Sequence, residues 1–373
     1  MAHTHVDPDG LMEFSVVFTD RSLNHMSVVF QQVMRDISGM LKDVYKADHV
    51  AIVPGGGTYG MEAVARQFGS GAHALIVRNG WFSYRWTQIF DAGQFTAKTT
   101  VLKARQAGND TRAPFAPAPI EDVTQAIREA RPDVVFAPHV ETSAGIILPD
   151  DYITQLAAAA HEVGALMVLD CIASGCVWVD MAATGVDVLI SAPQKGWSAS
   201  PSAGLVMMSS RAKERLDDTA SNSFTIDLKK WSSIMEAYEN GGHAYHATMP
   251  TDALRAFRDT MVEMRDYGFE KLRDAQWELG NAVRDMLREK GIKSVAAEGY
   301  GAPGVVVRYT DDPDIQNGKK FAALGMQIAA GVPLQCEEPS DFRTFRLGLF
   351  GLDKLYDVAG TVERLRGVAD QVL

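Results

Sequence analysis

Short apolar runs alternate with amphipathic stretches between about residue 50 and residue 210, and this alternation limits the possible folds more than any other feature. The runs are HVAIVP, HALIVR, DVVFAPH, ALMVLDC, DVLISAPQ and AGLVMMS, and segments such as IEDVTQAIREA separate them. Runs that are apolar throughout are typical of strands covered by helices on both faces. Because strands that alternate with helices are joined by right-handed crossovers, we expect an α/β fold with a mostly parallel sheet.

The pattern changes after Pro250. Residues 251–291 repeat apolar positions at helical spacing with charges between them, which predicts one or two long helices. Strand-like pieces (APGVVVRYT, FRTFRLGLFG) then alternate with helical ones (NGKKFAALGM, KLYDVAGTVERLRGVADQVL). A chain of 373 residues also exceeds the size of a single core. We therefore predict an amino-terminal arm over 1–20, a large domain over 21–255 and a smaller α+β domain over 256–373.

Composition and charge argue against several kinds of partner. The net charge is −11 and no dense Lys/Arg patch occurs, so we expect no binding to nucleic acid or to anionic membranes. The start, MAHTHVDPDG, is neither basic nor apolar, and no uninterrupted apolar stretch of about 18 residues follows. Cys171, Cys176 and Cys336 form no CxxC pair and are expected to be reduced thiols. These features together predict a cytoplasmic protein.

An aspartate and a lysine follow two successive strand-like runs. Asp170 ends ALMVLD and Lys195 follows DVLISAPQ, so both are expected at the carboxyl edge of the sheet, where α/β folds bind ligands. An arbitrary pair of this kind is more often a salt bridge or two surface charges. Lys195, however, lies among small residues in SAPQKGWSASPSAG, a loop suited to close backbone approach.

The chemistry of this pair points to pyridoxal 5′-phosphate (PLP). A buried lysine has a lowered pKa, and a partly neutral amine can condense with the aldehyde that PLP carries. The pyridine nitrogen of PLP acts as an electron sink only while it is protonated, and a facing carboxylate keeps the proton there. Lys195 and Asp170 suit these two tasks.

A glycine-rich turn in VPGGGTYGMEAVARQF leads from a strand-like run into a helix, and its free amide groups form an anion site. Gly55, Gly57 and Gly60 also satisfy the GxGxxG dinucleotide pattern, which makes an NADP-dependent oxidoreductase an alternative. That pattern requires an acidic residue at the end of the next strand, where this chain has Arg78, a residue that could accept a 2′-phosphate. A dehydrogenase leaves the aspartate–lysine pair unexplained, whereas one cofactor monophosphate explains all three features.

Five further segments have a specific order and spacing: PHVETSAGIILP (138–149), VLDCIASG (168–175), SAPQKGWSASPSAG (191–204), AYHATMP (244–250) and FRLGLFG (345–351). Together they resemble the class V aminotransferases of fold type I, in the branch of alanine-glyoxylate and serine-glyoxylate aminotransferases. The resemblance runs from about residue 20 to the end. It implies a PLP-dependent transaminase that moves an amino group from a small amino acid, such as alanine or serine, to glyoxylate or pyruvate by a ping-pong mechanism.

The resemblance also implies a role for each matching residue. Lys195 would be the Schiff-base lysine and catalytic proton carrier, and Asp170 the catalytic aspartate on the pyridine nitrogen. Arg346 would bind the substrate α-carboxylate. The remaining cofactor contacts would be Thr142 at the phenolic oxygen, Ile172 and Phe82 (or Trp81) at the ring, Gly56, Gly57, Thr58 and Gln194 at the phosphate, and Tyr245 and Thr248 at the phosphate from the neighbouring subunit of a homodimer.

Some positions depart from the family pattern and leave alternatives open. VVFTDRSLNHMS replaces a glycine-proline segment, so specificity is expected to depend on Asp20 to Ser27. A class V cysteine desulfurase or lyase is one alternative, with Cys336 in the loop PLQCEEP, although Gln194 stands where desulfurases have a histidine. A non-catalytic relative that keeps the fold to bind partners is another.

Overall fold

The computed structural model describes residues 6–15, 21–108 and 110–373, which form an α/β fold. The strands of these residues are β1 (His49–Pro54), β2 (His73–Arg78), β3 (Lys98–Lys103), β4 (Arg105–Gln106), β5 (Phe115–Ala116), β6 (Val134–Pro138), β7 (Val140–Glu141), β8 (Ile146–Ile147), β9 (Leu166–Asp170), β10 (Val188–Ser191), β11 (Ala203–Met208), β12 (Val305–Tyr309), β13 (Ala329–Ala330) and β14 (Thr344–Gly348). The helices are α1 (Val28–Tyr45), α2 (Gly57–Phe68), α3 (Trp81–Gly93), α4 (Ile120–Ala130), α5 (Asp150–Glu162), α6 (Met181–Thr184), α7 (Ser210–Asp218), α8 (Leu228–Glu239), α9 (Thr251–Tyr267), α10 (Phe269–Glu289), α11 (Pro313–Gln316), α12 (Lys319–Ala322), α13 (Leu352–Leu355) and α14 (Val358–Val372).

Seven strands form one large sheet in the order β1-β11-β10-β9-β6-β2-β3. Strands β2, β3, β6, β9 and β10 run parallel to their neighbours within that group. The six apolar runs of the sequence are six of these strands, so the predicted fold class is confirmed. The seventh, β3, went unpredicted because KTTVLK is a partly exposed edge strand with a lysine at each end rather than an apolar run.

Strand β11 shows that the crossover prediction was wrong at one point. It pairs antiparallel with both β1 and β10, so the sheet is mixed. Only the loop over 192–202 joins β10 to β11. A parallel connection needs a crossover of about a dozen residues or more, usually a helix, and this loop contains none.

The chain after Pro250 forms a second, smaller sheet and two long helices, where the sequence predicted one or two. Helix α9 ends and α10 begins around Gly268, whose φ of 113° breaks the helical path. Strands β12, β14 and β13 pair antiparallel, and α10 packs against β12 and α14. The predicted boundary between residues 255 and 256 falls inside α9, and the division into domains stays a prediction. Among the described residues, no helix is long and apolar enough to span a bilayer.

Two glycines bring α2 onto the sheet through direct backbone contact. A Cβ atom on Gly204 of β11 would lie 2.7 Å from Cα of Gly60, and one on Gly60 would lie 3.2 Å from Cα of Gly204. Neither position has room for a side chain. This contact fixes where the amino terminus of α2 meets the carboxyl edge of the sheet.

Candidate active site

The carboxyl ends of three adjacent parallel strands carry the predicted polar residues. Asp170 is the last residue of β9, Thr142 follows the end of β6, and Lys195 follows the end of β10. Parallel neighbours end at the same edge, so the strand order places these side chains together. The sequence predicted this edge, and the sheet confirms it.

The turn after β1 places the start of α2 at the same edge. Gly56 is the residue before the helix and offers no side chain to cap it. The amide groups of Tyr59 and Gly60 donate to the carbonyl of Gly56, while those of Gly57 and Thr58 have no backbone acceptor among the described residues. These two N–H groups and the helix dipole suit an anionic oxygen group.

One cavity of about 310 Å³ collects most of the predicted cofactor contacts. Its volume lies at the lower end of the range of about 300–1,000 Å³ for small-molecule sites. The predicted residues that line it are Gly56, Gly57, Thr58, Phe82, Thr142, Asp170, Ile172, Gln194 and Lys195. Tyr59, Met61 and Arg85 line it as well, although the sequence did not single them out.

Asp170 is a buried carboxyl group that lines the cavity. Its Oδ1 accepts a hydrogen bond of 2.9 Å from the amide of Ile172, and it forms no ion pair with another described residue. The pKa of Asp170 is raised to about 7, mainly by burial; the amide of Ile172 and Arg85 lower it, and the nearby Glu141 adds to the rise. A protonated ring nitrogen would supply the positive partner that this carboxylate lacks.

Lys195 is half-buried and also lacks an ion pair with any described residue. Burial lowers its pKa, and the positive charges of Arg346 and Arg85 lower it further. The Nζ atom lies 5.6 Å from the ring centroid of Phe350. An amine in these surroundings is available as a nucleophile and as a proton acceptor.

Gln194 supplies an unsatisfied polar atom next to the lysine. Its Oε1 is buried and has no hydrogen-bond partner among the described residues.

The glycine turn has no room for a side chain at Gly57. A Cβ atom on Gly57 would lie 2.6 Å from Cδ1 of Ile172. A carboxylate for a pyridine nitrogen, an amine for an aldehyde and free amides for a phosphate together fit PLP.

Phe82 lines the cavity and has two arginines near its ring. The guanidinium carbon of Arg85 is 5.2 Å, and that of Arg346 is 5.5 Å, from the Phe82 ring centroid. Arg346 in β14 donates from Nε to the carbonyl of Ala330, and burial lowers its pKa. Its remaining N–H groups suit a two-point contact with a carboxylate.

Tyr245 and Thr248 lie outside this cavity within one chain. Tyr245 is 55% exposed, and its hydroxyl is 3.3 Å from Oγ1 of Thr248. Asp20, at the start of the predicted specificity segment, lies outside the described residues. His25, farther along that segment, has its ring centroid 5.3 Å from that of Tyr245.

Glu141 is a positioning residue that the sequence reading missed. It is fully buried and accepts from the amides of Phe82, Ser83 and Ser143 and from both serine hydroxyls. These contacts fasten the amino terminus of α3, which carries Phe82 and Arg85. A carboxylate enclosed by small residues in PHVETSAGIILP was the available signal.

Arg78 and Cys336, on which the oxidoreductase and desulfurase alternatives depend, lie outside the cavity lining. Arg78 donates to the carbonyl of Gln335 and to Oγ1 of Thr87, and it packs on the ring of Tyr84. Cys336 is buried outside the cavity lining, and burial raises its pKa to about 12. A thiol held in its neutral form is a poor nucleophile, which weakens the desulfurase alternative.

The fold and the donors around one cavity define the class of protein, a fold type I enzyme that uses PLP. The family model described as "Aminotransferase class-V" matches residues 13–306, and the chain belongs to this family. The protein is therefore a PLP-dependent aminotransferase, and the NADP-dependent oxidoreductase alternative is wrong.

Individual relatives are distant but cover most of the chain. Alanine--glyoxylate aminotransferase 1 of Saccharomyces cerevisiae is 26% identical and covers 83% of this chain and 82% of its own. A 2-aminoethylphosphonate--pyruvate transaminase of Burkholderia pseudomallei is 28% identical and covers 87% of each. The crystal structure of an alanine--glyoxylate aminotransferase from Nostoc sp. has a TM-score of 0.76 at 23% identity and covers 94% of this chain and 89% of that one.

Proposed function

We propose that this enzyme transfers the amino group of a small amino acid, such as alanine or serine, to a small 2-oxo acid, glyoxylate or pyruvate, by a ping-pong mechanism. The observation that carries the proposal is the pair formed by Lys195 and Asp170, which line one cavity and have no ionic partner within the described residues. Of the proposed substrates, alanine and glyoxylate are those named for the alanine--glyoxylate aminotransferases of Saccharomyces cerevisiae and Nostoc sp., to which the chain is similar.

The residues divide the work as follows. When bound, PLP supplies an electron sink for the charge that develops at the substrate α-carbon. Lys195 would hold the cofactor aldehyde and, once released, its Nζ would take the α-proton as a general base and return it as a general acid. Asp170 would keep the proton on the pyridine nitrogen, and Arg346 would orient the substrate through its carboxylate.

The phosphate would bind at the start of α2. Gly57 and Thr58 would donate their amides, and the Gln194 side chain would turn a donor toward it. Arg85 would add the positive charge, since its Nη1 already donates to Oγ1 of Thr58 at 3.0 Å. A charge-assisted contact of this kind is worth about twice a neutral hydrogen bond.

The ring and the dimer complete the proposed site. Phe82 would stack on the pyridine from one side, Ile172 would pack on the other, and Thr142 would bond the phenolic oxygen. Tyr245 and Thr248 would complete the phosphate site of the partner in a homodimer, since both lie outside their own cavity. We also propose a cytoplasmic location, which the three free cysteines support and cell fractionation would test.

Product analysis with the purified holoenzyme would test the proposal. Alanine, serine and 2-aminoethylphosphonate would be offered as donors, with glyoxylate and pyruvate as acceptors, and each 2-oxo product quantified. Turnover of alanine or serine with parallel double-reciprocal plots is the expected result. Sulfide release from cysteine without amino transfer would favour the desulfurase instead.

Borohydride reduction followed by peptide mapping would test whether Lys195 is the lysine that holds the cofactor. The cofactor should be attached at Lys195, and a Lys195→Ala variant should carry none, whereas Lys230→Ala, a change of an exposed lysine in α8, should behave as the wild type. Attachment at another lysine in the wild-type enzyme would contradict the assignment.

A further inference from the structure

A second, larger cavity lies away from the catalytic one. It has a volume of about 940 Å³ and lies between the β4–β5 hairpin, the carboxyl-terminal half of α10 and β12. None of its lining residues lines the catalytic cavity. Its basic lining residues are Arg112, Arg284, Arg288, Lys293 and Arg308, and its acidic ones are Asp110 and Glu298. We call it the basic cleft.

Three of the five cations have carboxylate partners. Arg112 pairs with Asp311, and Arg288 pairs with Asp285. Lys293 pairs with Asp110 at 2.5 Å. The remaining positive charges are those of Arg284 and Arg308, and Glu298 is the one further carboxylate among the lining residues.

Arg284 and Arg308 contact neutral acceptors alone within the described residues. Arg284 donates to the carbonyl of Ala302 at 2.5 Å and to Oδ1 of Asn281 at 3.1 Å. Arg308 donates to the carbonyls of Ile292 and Arg284 at 3.1 and 2.9 Å. Only 4% of Arg308 is exposed, and its Nε has no hydrogen-bond partner in the described chain.

Arg308 is buried and Arg284 beside it is half-buried, and two cations so placed are costly unless an anion compensates them. Burial lowers the pKa of Arg284 and of Arg308 to about 10, and the charge of Arg284 adds to the effect on Arg308. Both groups thus stay charged near neutral pH. The cluster of basic residues in the cleft contrasts with the net charge of the whole chain, which is −11.

We propose that the basic cleft binds a small organic polyanion that carries phosphate or carboxylate groups. The planar guanidinium groups of Arg284 and Arg308 match the oxygen geometry of both kinds of anion. Trp277 and Ile292 also line the cleft and provide apolar surface for the carbon skeleton. The volume of about 940 Å³ suits a metabolite-sized ligand.

Titration calorimetry of the holoenzyme with inorganic phosphate and with citrate, at constant ionic strength, would test this site. Using the holoenzyme keeps the phosphate site of the catalytic cavity filled by the cofactor. We expect saturable binding of at least one probe at one site per chain. Tighter binding of citrate would indicate a polycarboxylate ligand, and tighter binding of phosphate a phosphorylated one. Absence of saturable binding by both probes would overturn the proposal.

Variants would locate the binding. Arg284→Gln should weaken binding of the probe about tenfold, as expected for the loss of one charge-assisted contact. Arg288→Gln, at an exposed position that tolerates substitution, should weaken it about threefold through the lost field alone. Arg273→Gln is the matched control, because Arg273 lies on the same helix, forms an i,i+3 ion pair and is outside the cleft.

Two outcomes of the variant series would overturn the proposal. One is equal weakening by Arg273→Gln and Arg288→Gln, since this would indicate a diffuse charge effect. The other is loss of binding in Arg346→Gln with retention in Arg284→Gln and Arg288→Gln, which would place the probe in the catalytic cavity. If Arg284→Gln does not fold, Arg288→Gln alone decides the first comparison.

Discussion

At the scale of single residues, the carboxyl group of Asp170 should make stability depend on pH. Its pKa is raised to about 7, whereas an unfolded chain titrates aspartate near 4. Between these values the folded apoenzyme holds a proton that the unfolded chain has lost, so this contribution to stability falls as pH rises through the window.

Urea unfolding of apoenzyme at about pH 5 and about pH 7.5 would measure the effect. The stability of the wild type relative to Asp170→Asn, which mimics the protonated side chain, should decrease at the higher pH. With PLP bound, the relative stability should not decrease, because a ring nitrogen proton pairs with the carboxylate. An unchanged difference in the apoenzyme would contradict a raised pKa.

We expect Arg85 to contribute to binding of the cofactor phosphate and not to binding of the pyridine ring. We expect Arg85→Gln to weaken PLP binding to the apoenzyme about tenfold, through loss of one charge-assisted contact. Binding of pyridoxal, which lacks the phosphate, should not change. Fluorescence titration with both compounds would separate the two effects. Equal weakening of both would indicate that Arg85 acts through the ring of Phe82 instead.

Two neighbouring glycines offer a matched pair of substitutions. In Gly57→Ala the new Cβ would lie 2.6 Å from Cδ1 of Ile172, a stiff β-branched side chain, and would push it into the cavity. Overpacking of this kind costs about 1–3 kcal/mol, so PLP affinity should fall about tenfold or more. In Gly56→Ala the new Cβ would meet no protein atom within 4 Å and would leave Ile172 in place, so the loss of PLP affinity should be smaller than in Gly57→Ala. Spectral titration of both apo variants would measure this, and equal affinities would show that the turn yields.

At the scale of elements, α3 depends on Glu141 for its position. Glu141→Gln removes the charge and replaces an acceptor oxygen with a donor, so several of the hydrogen bonds from Phe82, Ser83 and Ser143 would be lost. The free energy of unfolding should fall by about 2 kcal/mol. Displacement of Phe82 should also change the visible circular dichroism of bound PLP.

The control for this change is Glu121→Gln in the exposed first turn of α4. Its effect on unfolding should stay within about 0.5 kcal/mol, as is usual for surface substitutions. Comparable losses in the two variants would mean that Glu141 acts as an ordinary cap and does not fix the start of α3.

At the scale of the whole molecule, the proposed dimer predicts complementation between two inactive chains. Lys195→Ala and the double variant Tyr245→Ala/Thr248→Ala each damage one side of a shared site. In a mixed dimer, one site would contain both changes and the other neither. Co-expression should therefore restore about one quarter of wild-type activity, because about half of the dimers are mixed. No recovery in isolated mixed dimers would place the site within one chain.

The sequence by itself determined the elements and the chemistry near each strand end. Continuous apolar runs predicted six strands of the large sheet, and apolar residues at helical spacing predicted α9 and α10. Both patterns depend on local backbone geometry. Asp170, Lys195 and the glycine turn stood out because their residue types contrast with their neighbours. The partly polar edge strand β3 lacked such a contrast. The segment NGKKFAALGM, predicted as helical, forms only the short α12, which Gly318 and Gly325 with positive φ flank.

Only the tertiary structure decided which side chains meet. The antiparallel direction of β11, the contacts of Glu141 with the start of α3 and the approach of Arg85 to Thr58 depend on residues far apart in the chain. The same holds for the two arginines of the basic cleft, since their surroundings, which contain no carboxylate partner among the described residues, follow from how α10 packs on β12. Such contacts arise from packing between elements, and the free energy of a buried charge depends on that surrounding structure, which no local pattern records.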